Sequence, residues 1–154
     1  MHKLGWLIAA VFVAGVGAVI WQATRPAPQT GGISMDMTPP DTTQTEEGAA
    51  IVAVSLPENL SSDAGIGKRA FDSVCASCHG QNAAGRNGVA PPLVHRIYEP
   101  SHHADEAFQR AVQNGVRAHH WNFGNMPQIE GLTRADVQYI TRYVRELQRA
   151  NGIQ

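Results

Sequence analysis

Two cysteines and a histidine stand together at Cys75-Ala76-Ser77-Cys78-His79, and the chain has no other cysteine. The C-x-x-C-H spacing reads as covalent c-type haem attachment. Both thiols can form thioether bonds to the macrocycle, and the adjacent imidazole is then held as the proximal iron ligand. The other uses of C-x-x-C fit less well. A structural zinc cluster needs a second ligand pair that the chain does not supply with cysteine. A thioredoxin-like redox pair belongs in a strand-to-helix βαβ context, and here a Gly/Asn-rich stretch follows instead. An unmodified dithiol remains the alternative.

These residues need elements to position them, and the flanking sequence supplies two. Ser61 or Ser62 can cap a helix running through Asp63 to about Val74, with an acid at its start as the helix dipole prefers. Ile66, Ala70, Phe71 and Val74 would form its apolar face at helical spacing. Gly67 lies on the face of Phe71, and a mid-helix glycine costs up to about 1 kcal/mol against alanine; a close helix crossing accounts for it. Near the C-terminus, Thr133 to Asp136 has a cap-like start. Val137, Ile140, Tyr143, Val144 and Leu147 follow at helical spacing, an aromatic-bearing ridge to pack on the glycine.

The rest of the chain divides by composition. Residues 1–24 hold an apolar run, Leu4 to Ala23, with Trp6 and Trp21 near its ends. About 20 apolar residues span a bilayer core, and tryptophans suit the headgroup level. A cleaved secretory signal is the competing reading, with Val16-Gly17-Ala18 as its cut, but that cut would leave Val19-Ile20-Trp21 exposed. An uncleaved transmembrane anchor is the expectation. Residues 25–60 are rich in Pro, Thr and Gly, and Pro26 to Leu60 holds five acids and no Lys or Arg, so a flexible acidic linker is expected. Its 36 residues would reach roughly 30–35 Å. Met35 and Met37 could make a soft copper pair, though methionines in a tether are more often incidental. Residues 61–154 hold ten Lys/Arg and eight Asp/Glu within a chain of net charge −1. That predicts weak steering and gives no nucleic-acid footprint.

From Ser61 to Asn151 the chain resembles a class I cytochrome c. The resemblance is carried by Gly67 and Phe71, by Cys75 to Gly80, by Ala90-Pro91-Pro92-Leu93, by Met126-Pro127, and by Ile140 and Tyr143. It implies an all-α fold, N- and C-terminal helices crossing around one covalent haem c, with the anchor preceding it. It implies His79 and Met126 as the two iron ligands; of the four methionines only Met126 falls inside this domain. A thioether ligand favours ferrous iron and raises the potential. The Pro91 carbonyl, or that of Pro92, is then the acceptor for the other ring N–H of His79. Trp121, Asn122 and Arg96 are candidates to satisfy the haem propionates. Cytochromes of this type are completed on the far side of the bacterial inner membrane, which would place the domain in the periplasm.

Five further histidines, His95, His102, His103, His119 and His120, exceed what electron transfer needs. They could form a second metal site, supply a distal ligand in place of Met126, tune docking with pH, or be plain surface residues. The expected function is a membrane-tethered one-electron carrier and not an enzyme. Its partners would be redox proteins at the inner membrane, such as a quinol-oxidising complex and a terminal oxidase, with no small-molecule substrate. A fixed subunit of a periplasmic dehydrogenase, or a haem peroxidase or gas binder with an open iron position, are the alternatives. The working surface is expected around Ala76-Ser77 and Gln81 to Arg86, where Arg86 and Arg96 could orient an acidic partner.

Overall fold

The structure, a computed structural model, describes residues 15–17, 21 and 36–154. The chain divides between Thr30 and Gly31 into two units. Of the first, residues 15–17 and 21 are described, in helical backbone. The expected anchor otherwise lies outside the described residues, as do the first part of the linker and Met35. Among the described residues no helix is long and apolar enough to cross a membrane. The second unit is helical; its only β pairings among the described residues are the isolated bridges Arg86–Ala90 and Val116–Met126.

Helix α1 spans Ser62–Val74. Ser61 caps it, its hydroxyl accepting from the Ala64 N–H at 3.2 Å while donating to Glu146 near the chain's end. Helix α4 spans Arg134–Ala150 and opens with a full capping box between Thr133 and Asp136. The two helices cross at Gly67. A Cβ there would stand 1.9 Å from the Tyr139 carbonyl oxygen, so only glycine admits this approach. Once the backbones are this close, Phe71 meets Tyr143 edge to face at 5.6 Å. Ile140, Val144 and Leu147 are buried beside them. Each such apolar side chain contributes about 1.5–3 kcal/mol on burial. Ile66, expected on the apolar face, is 38% exposed. The buried stripe of α1 runs through Ala64, Gly67 and Phe71, and Ile66 falls to one side of it.

Two short elements follow α1. Helix α2, Ala76–His79, is a single turn, and a 3-10 turn covers Gln81–Ala83 with Asn82 and Ala83 at positive φ. The Tyr143 hydroxyl donates to Asn82 and fixes that left-handed turn to α4. A second 3-10 turn, Arg96–Tyr98, is capped by His95. Helix α3, Asp105–Asn114, was not foreseen.

The C-terminal helix also holds the loop between these elements. Arg145 is 6% exposed. Its guanidinium pairs with Asp105 at 2.9 Å and donates to the carbonyls of Tyr98 and His103. Gln148 donates to the carbonyls of Leu93 and Tyr98 at 2.8 and 3.0 Å. Two polar side chains of one helix thereby satisfy a loop backbone that has no ladder of its own.

The expected linker is shorter than its composition suggested. From Thr42 to Leu60 the chain is a strap tied to the domain: Gly48 N–H donates to Asn87 O, Asn87 N–H to Ala49 O, and the N–H groups of Ile51 and Val52 to Ala84 O, all at 2.9–3.2 Å. Ser55 exchanges bonds with the Asn151 side chain, and Val52, Val54 and Leu60 pack against the core. The proline- and acid-rich composition hid these few apolar residues, and backbone pairing with an irregular loop leaves no periodicity to read.

Candidate functional site

Cys75 ends α1 and begins α2, its N–H donating to Phe71 O at 2.8 Å. Cys78 and His79 donate back to the Cys75 carbonyl at 3.1 and 2.9 Å. The motif is therefore one helical turn, and the i, i+3 spacing sets both thiols on one face. Gly80 closes the turn at φ +75°, where a Cβ would lie 2.5 Å from the Gly85 carbonyl oxygen. Burial pushes the Cys75 thiol up to about 11. Reactive dithiols need the opposite shift, toward the thiolate, which disfavours a redox pair.

His79 Nδ1 lies 2.9 Å from the Pro91 carbonyl oxygen. A ring N–H donating there leaves Nε2 with its lone pair free, the tautomer a metal ligand requires. Burial holds the His79 pKa below its usual value, with the Pro91 contact opposing it, so the ring is neutral and ready to coordinate. Of the two prolines, Pro91 is the one in place.

Cys75, Cys78, His79 and Met126 all line one cavity of about 500 Å³. That is within the range of cofactor sites, as is its largely apolar wall, to which Phe71, Leu93, Ile129 and Ile140 contribute. Met126 is held by paired backbone bonds with Val116 at 2.9 and 3.0 Å. Gly115, at φ +72°, allows this, since a Cβ would sit 2.6 Å from the Met126 carbonyl oxygen.

Of the residues expected at the polar edge, Trp121 is there: it lines the cavity and is buried. Its Nε1 makes no hydrogen bond of ordinary geometry, although the Tyr98 hydroxyl is near enough to feel it. A buried donor left over on a cavity wall is what an absent acceptor group leaves behind. Arg96 and Asn122 are not among the lining residues. Arg96 pairs instead with Glu99 at 3.0 Å, three residues on in the same turn. Arg86 donates to the Ser77 carbonyl and so braces the attachment segment from outside. The cation on the cavity is Arg110, on α3. Sequence reasoning missed it because it missed that helix, although Phe108, Ala111 and Val112 carried the spacing.

The extra histidines are not scattered. His95 stands apart, buried, with Nδ1 accepting from the Ile97 N–H and Nε2 unpartnered. The other four converge from two loops. The His102, His103 and His120 ring centroids lie 4.7–5.6 Å apart, and His119 lies 4.4 Å from His120. His103, His119 and His120 also line the cavity. Burial lowers the pKa of His103 and of His120, and neighbouring imidazoles lower both further.

Compared with known families, residues 64–148 match the model of the Cytochrome c family, more than half of the chain. The chain belongs to the cytochrome c family. No curated protein and no solved structure gave a match. Membership brings a covalently bound haem c with its iron, and the thiol pair, the oriented imidazole, the apolar walls and the orphan indole N–H all fit that group. Haem-based electron transfer is the work of this family, which is generally not enzymatic.

Proposed function

We propose that this cytochrome is a membrane-tethered, periplasmic one-electron carrier. The observation that carries the electron-transfer site is the pairing of a carbonyl-oriented His79 with Met126 on the walls of one apolar cavity. When bound, the haem supplies a one-electron couple between ferric and ferrous iron. The chain does the rest. Cys75 and Cys78 would hold the macrocycle, and His79 Nε2 would coordinate its iron, with its basicity raised by the bond to Pro91. The Met126 sulfur would be the second ligand and would favour the ferrous state. Trp121 and Arg110 would satisfy the propionates, and the apolar wall would keep water from the metal.

The mouth of the site has the character of a transient docking surface. Cys78 and Val89 both line the cavity and reach solvent, Val89 being 37% exposed. Brief electron-transfer encounters use small patches, below about 1,200 Å². Partners would be redox proteins of a respiratory chain at the inner membrane. The apolar Leu4–Ala23 run and the Pro/Gly-rich composition that follows it support an anchor and a tether.

The test is the absorption spectrum of the reduced, haem-loaded full chain before and after carbon monoxide. An unchanged spectrum is expected, because Met126 closes the sixth position. Met126→Ala should lower the reduction potential and admit the gas. Rapid binding by the unaltered protein would overturn Met126 ligation and favour an open-iron enzyme or sensor, with His119 and His120 the nearest acid/base groups.

A further inference from the structure

The haem cavity takes three of the four clustered histidines into its wall and gives the fourth no role. His102 does not line the haem cavity, is exposed, and yet turns its Nε2 to within 3.2 Å of His120 Nε2. One ligand nitrogen from each of His102, His103 and His120 can be chosen so that all three lie within 4.8 Å of one another. Nitrogens bound to one ion at about 2.0–2.1 Å in tetrahedral geometry stand roughly 3.3–3.4 Å apart. The cluster is thus one small rotamer adjustment from coordination.

The surroundings are arranged as those of metal ligands are. His103 Nδ1 is bonded to the Ile97 carbonyl at 2.6 Å, which fixes its tautomer and leaves Nε2 free to coordinate. His119 Nδ1 is bonded in the same way to the Arg117 carbonyl at 2.8 Å. Both loops are ordered by contacts that do not use these rings. His102 and His103 donate their N–H groups to the Glu99 carbonyl, Arg145 clasps the His103 carbonyl, and Asn125 accepts from Ala118 N–H beside His119. The framework therefore exists without an ion, and His102 leaves it open to solvent. Packing alone gives no reason to bring this many imidazoles together at an exposed edge.

We propose that His102, His103 and His120 form a divalent transition-metal site with three imidazole nitrogens and a fourth position open to water or to His119. Imidazole-only donors select borderline ions, copper(II) and zinc(II), over magnesium or calcium. Copper(II) binds tighter than zinc(II) at a given nitrogen site. The rings enter as neutral ligands, so no redox step is involved in loading.

The experiment is calorimetric titration of the ferric, haem-loaded full chain, first stripped with chelator, with zinc(II) and separately with copper(II). One equivalent of each should bind, copper more tightly, and the bound copper should show hyperfine coupling to nitrogen. Loss of an outer partner alone costs about 10–100-fold in metal affinity, so His102→Ala should weaken binding at least about 100-fold. Because His102 lies off the haem cavity, its haem spectrum should be unchanged, which separates a lost ligand from a lost fold. His102→Asp, which keeps a donor atom, should recover part of the affinity. Binding that is absent in the unaltered protein, as when these rings serve only the propionates, overturns the proposal. Binding equally tight in His102→Ala and in His120→Ala also overturns it, by placing the ion elsewhere.

Discussion

The segment from Cys75 to Pro92, which carries His79, is pinned at nearly every turn, whereas that from Gly115 to Pro127, which carries Met126, hangs on few bonds. On the first, the motif is a closed helical turn, Gly85 N–H bonds back to the His79 carbonyl at 2.7 Å, Leu93 bonds to Ala83, and the strap covers Ala84 and Asn87. On the second, Gly115 N–H bonds to Ala111 at the end of α3, one bridge joins Met126 to Val116, and one Asn125 contact holds Ala118. The His119 and His120 rings add one contact each, to Arg117 and to His102. The proximal wall is built into the core; the distal wall is a loop laid against it. Backbone bonds shielded by packing open rarely, and exposed loop bonds open often. In the proposed carrier this asymmetry would keep His79 on the iron and let Met126 leave it.

Both walls stand on the crossing at Gly67, so the largest effect should come from breaking it. Gly67→Ala drives a methyl into the Tyr139 carbonyl, a backbone atom that can move only if the helices part. Overpacking costs typically 1–3 kcal/mol, and with rigid backbone on both sides about 3 kcal/mol or more is expected. Denaturant unfolding of the holoprotein measures it, and a loss under about 1 kcal/mol would mean that the crossing is looser than this geometry.

Next in size is Arg145→Met, which acts on the loop that bears His102 and His103 and spares the attachment turn. Asp105 is largely exposed, its side chain 73% accessible, so losing that ion pair costs little. The His103 carbonyl and the Gln148 side-chain oxygen lose their donor, while the Tyr98 carbonyl keeps that of Gln148, and unsatisfied buried acceptors cost about 1–3 kcal/mol each. A loss of about 2–4 kcal/mol is expected, with hydrogen exchange rising in 95–104 before it rises in 75–85. Uniform loosening of 95–104 and 75–85 would mean that Arg145 braces the proximal wall as well as its own loop.

Gly115→Ala sharpens the distinction further. Alanine is strained at φ +72°, by about 1–3 kcal/mol, and its Cβ displaces the Met126 carbonyl. Carbon monoxide should then bind the reduced protein measurably while the covalent attachment and the His79 contact persist. A sixth position as closed as in the unaltered chain would show that the Met126 loop tolerates the shift.

The same asymmetry governs how much of the molecule was legible in the sequence. The proximal wall and the two crossing helices were readable because each rests on short-range chemistry: a motif of five residues, a serine cap, a capping box, and a glycine whose cost demands an explanation. The contact between His79 and the Pro91 carbonyl was suggested by family pattern alone, since no local rule says which carbonyl a histidine will meet. Helix α3 was missed because Ala104 offers no side-chain cap and none of its residues is fully buried. With it went Arg110. Arg96 was misplaced because a guanidinium near a haem is an attractive partner for propionates, and a glutamate three residues away is a nearer one. Neither the strap nor the gathering of four histidines has a local signature. Both depend on tertiary contacts between segments far apart in the chain.

The smallest effect belongs to His95, a buried imidazole that neither wall uses. His95 is buried, so its pKa lies below the ordinary 6.5, an effect that Asp36 partly opposes. Above pH 6.5 the ring is neutral in both folded and unfolded chains and contributes no pH dependence. As pH falls through 6.5 the unfolded chain takes up the proton first, so stability declines until the folded value is reached. One such group removes at most about 1.4 kcal/mol per pH unit over that window. His95→Asn keeps an acceptor near the position of Nδ1 to cap the Arg96–Tyr98 turn, and it cannot titrate. It should be less stable than the unaltered holoprotein at pH 7.5, because part of the ring's packing is gone, and lose less on going to pH 5.5. His103 and His120 retain their own slope in both proteins, so the difference between the two profiles isolates His95. Parallel profiles would mean that the ring binds its proton equally well in the folded and unfolded chains, with Asp36 fully offsetting the burial.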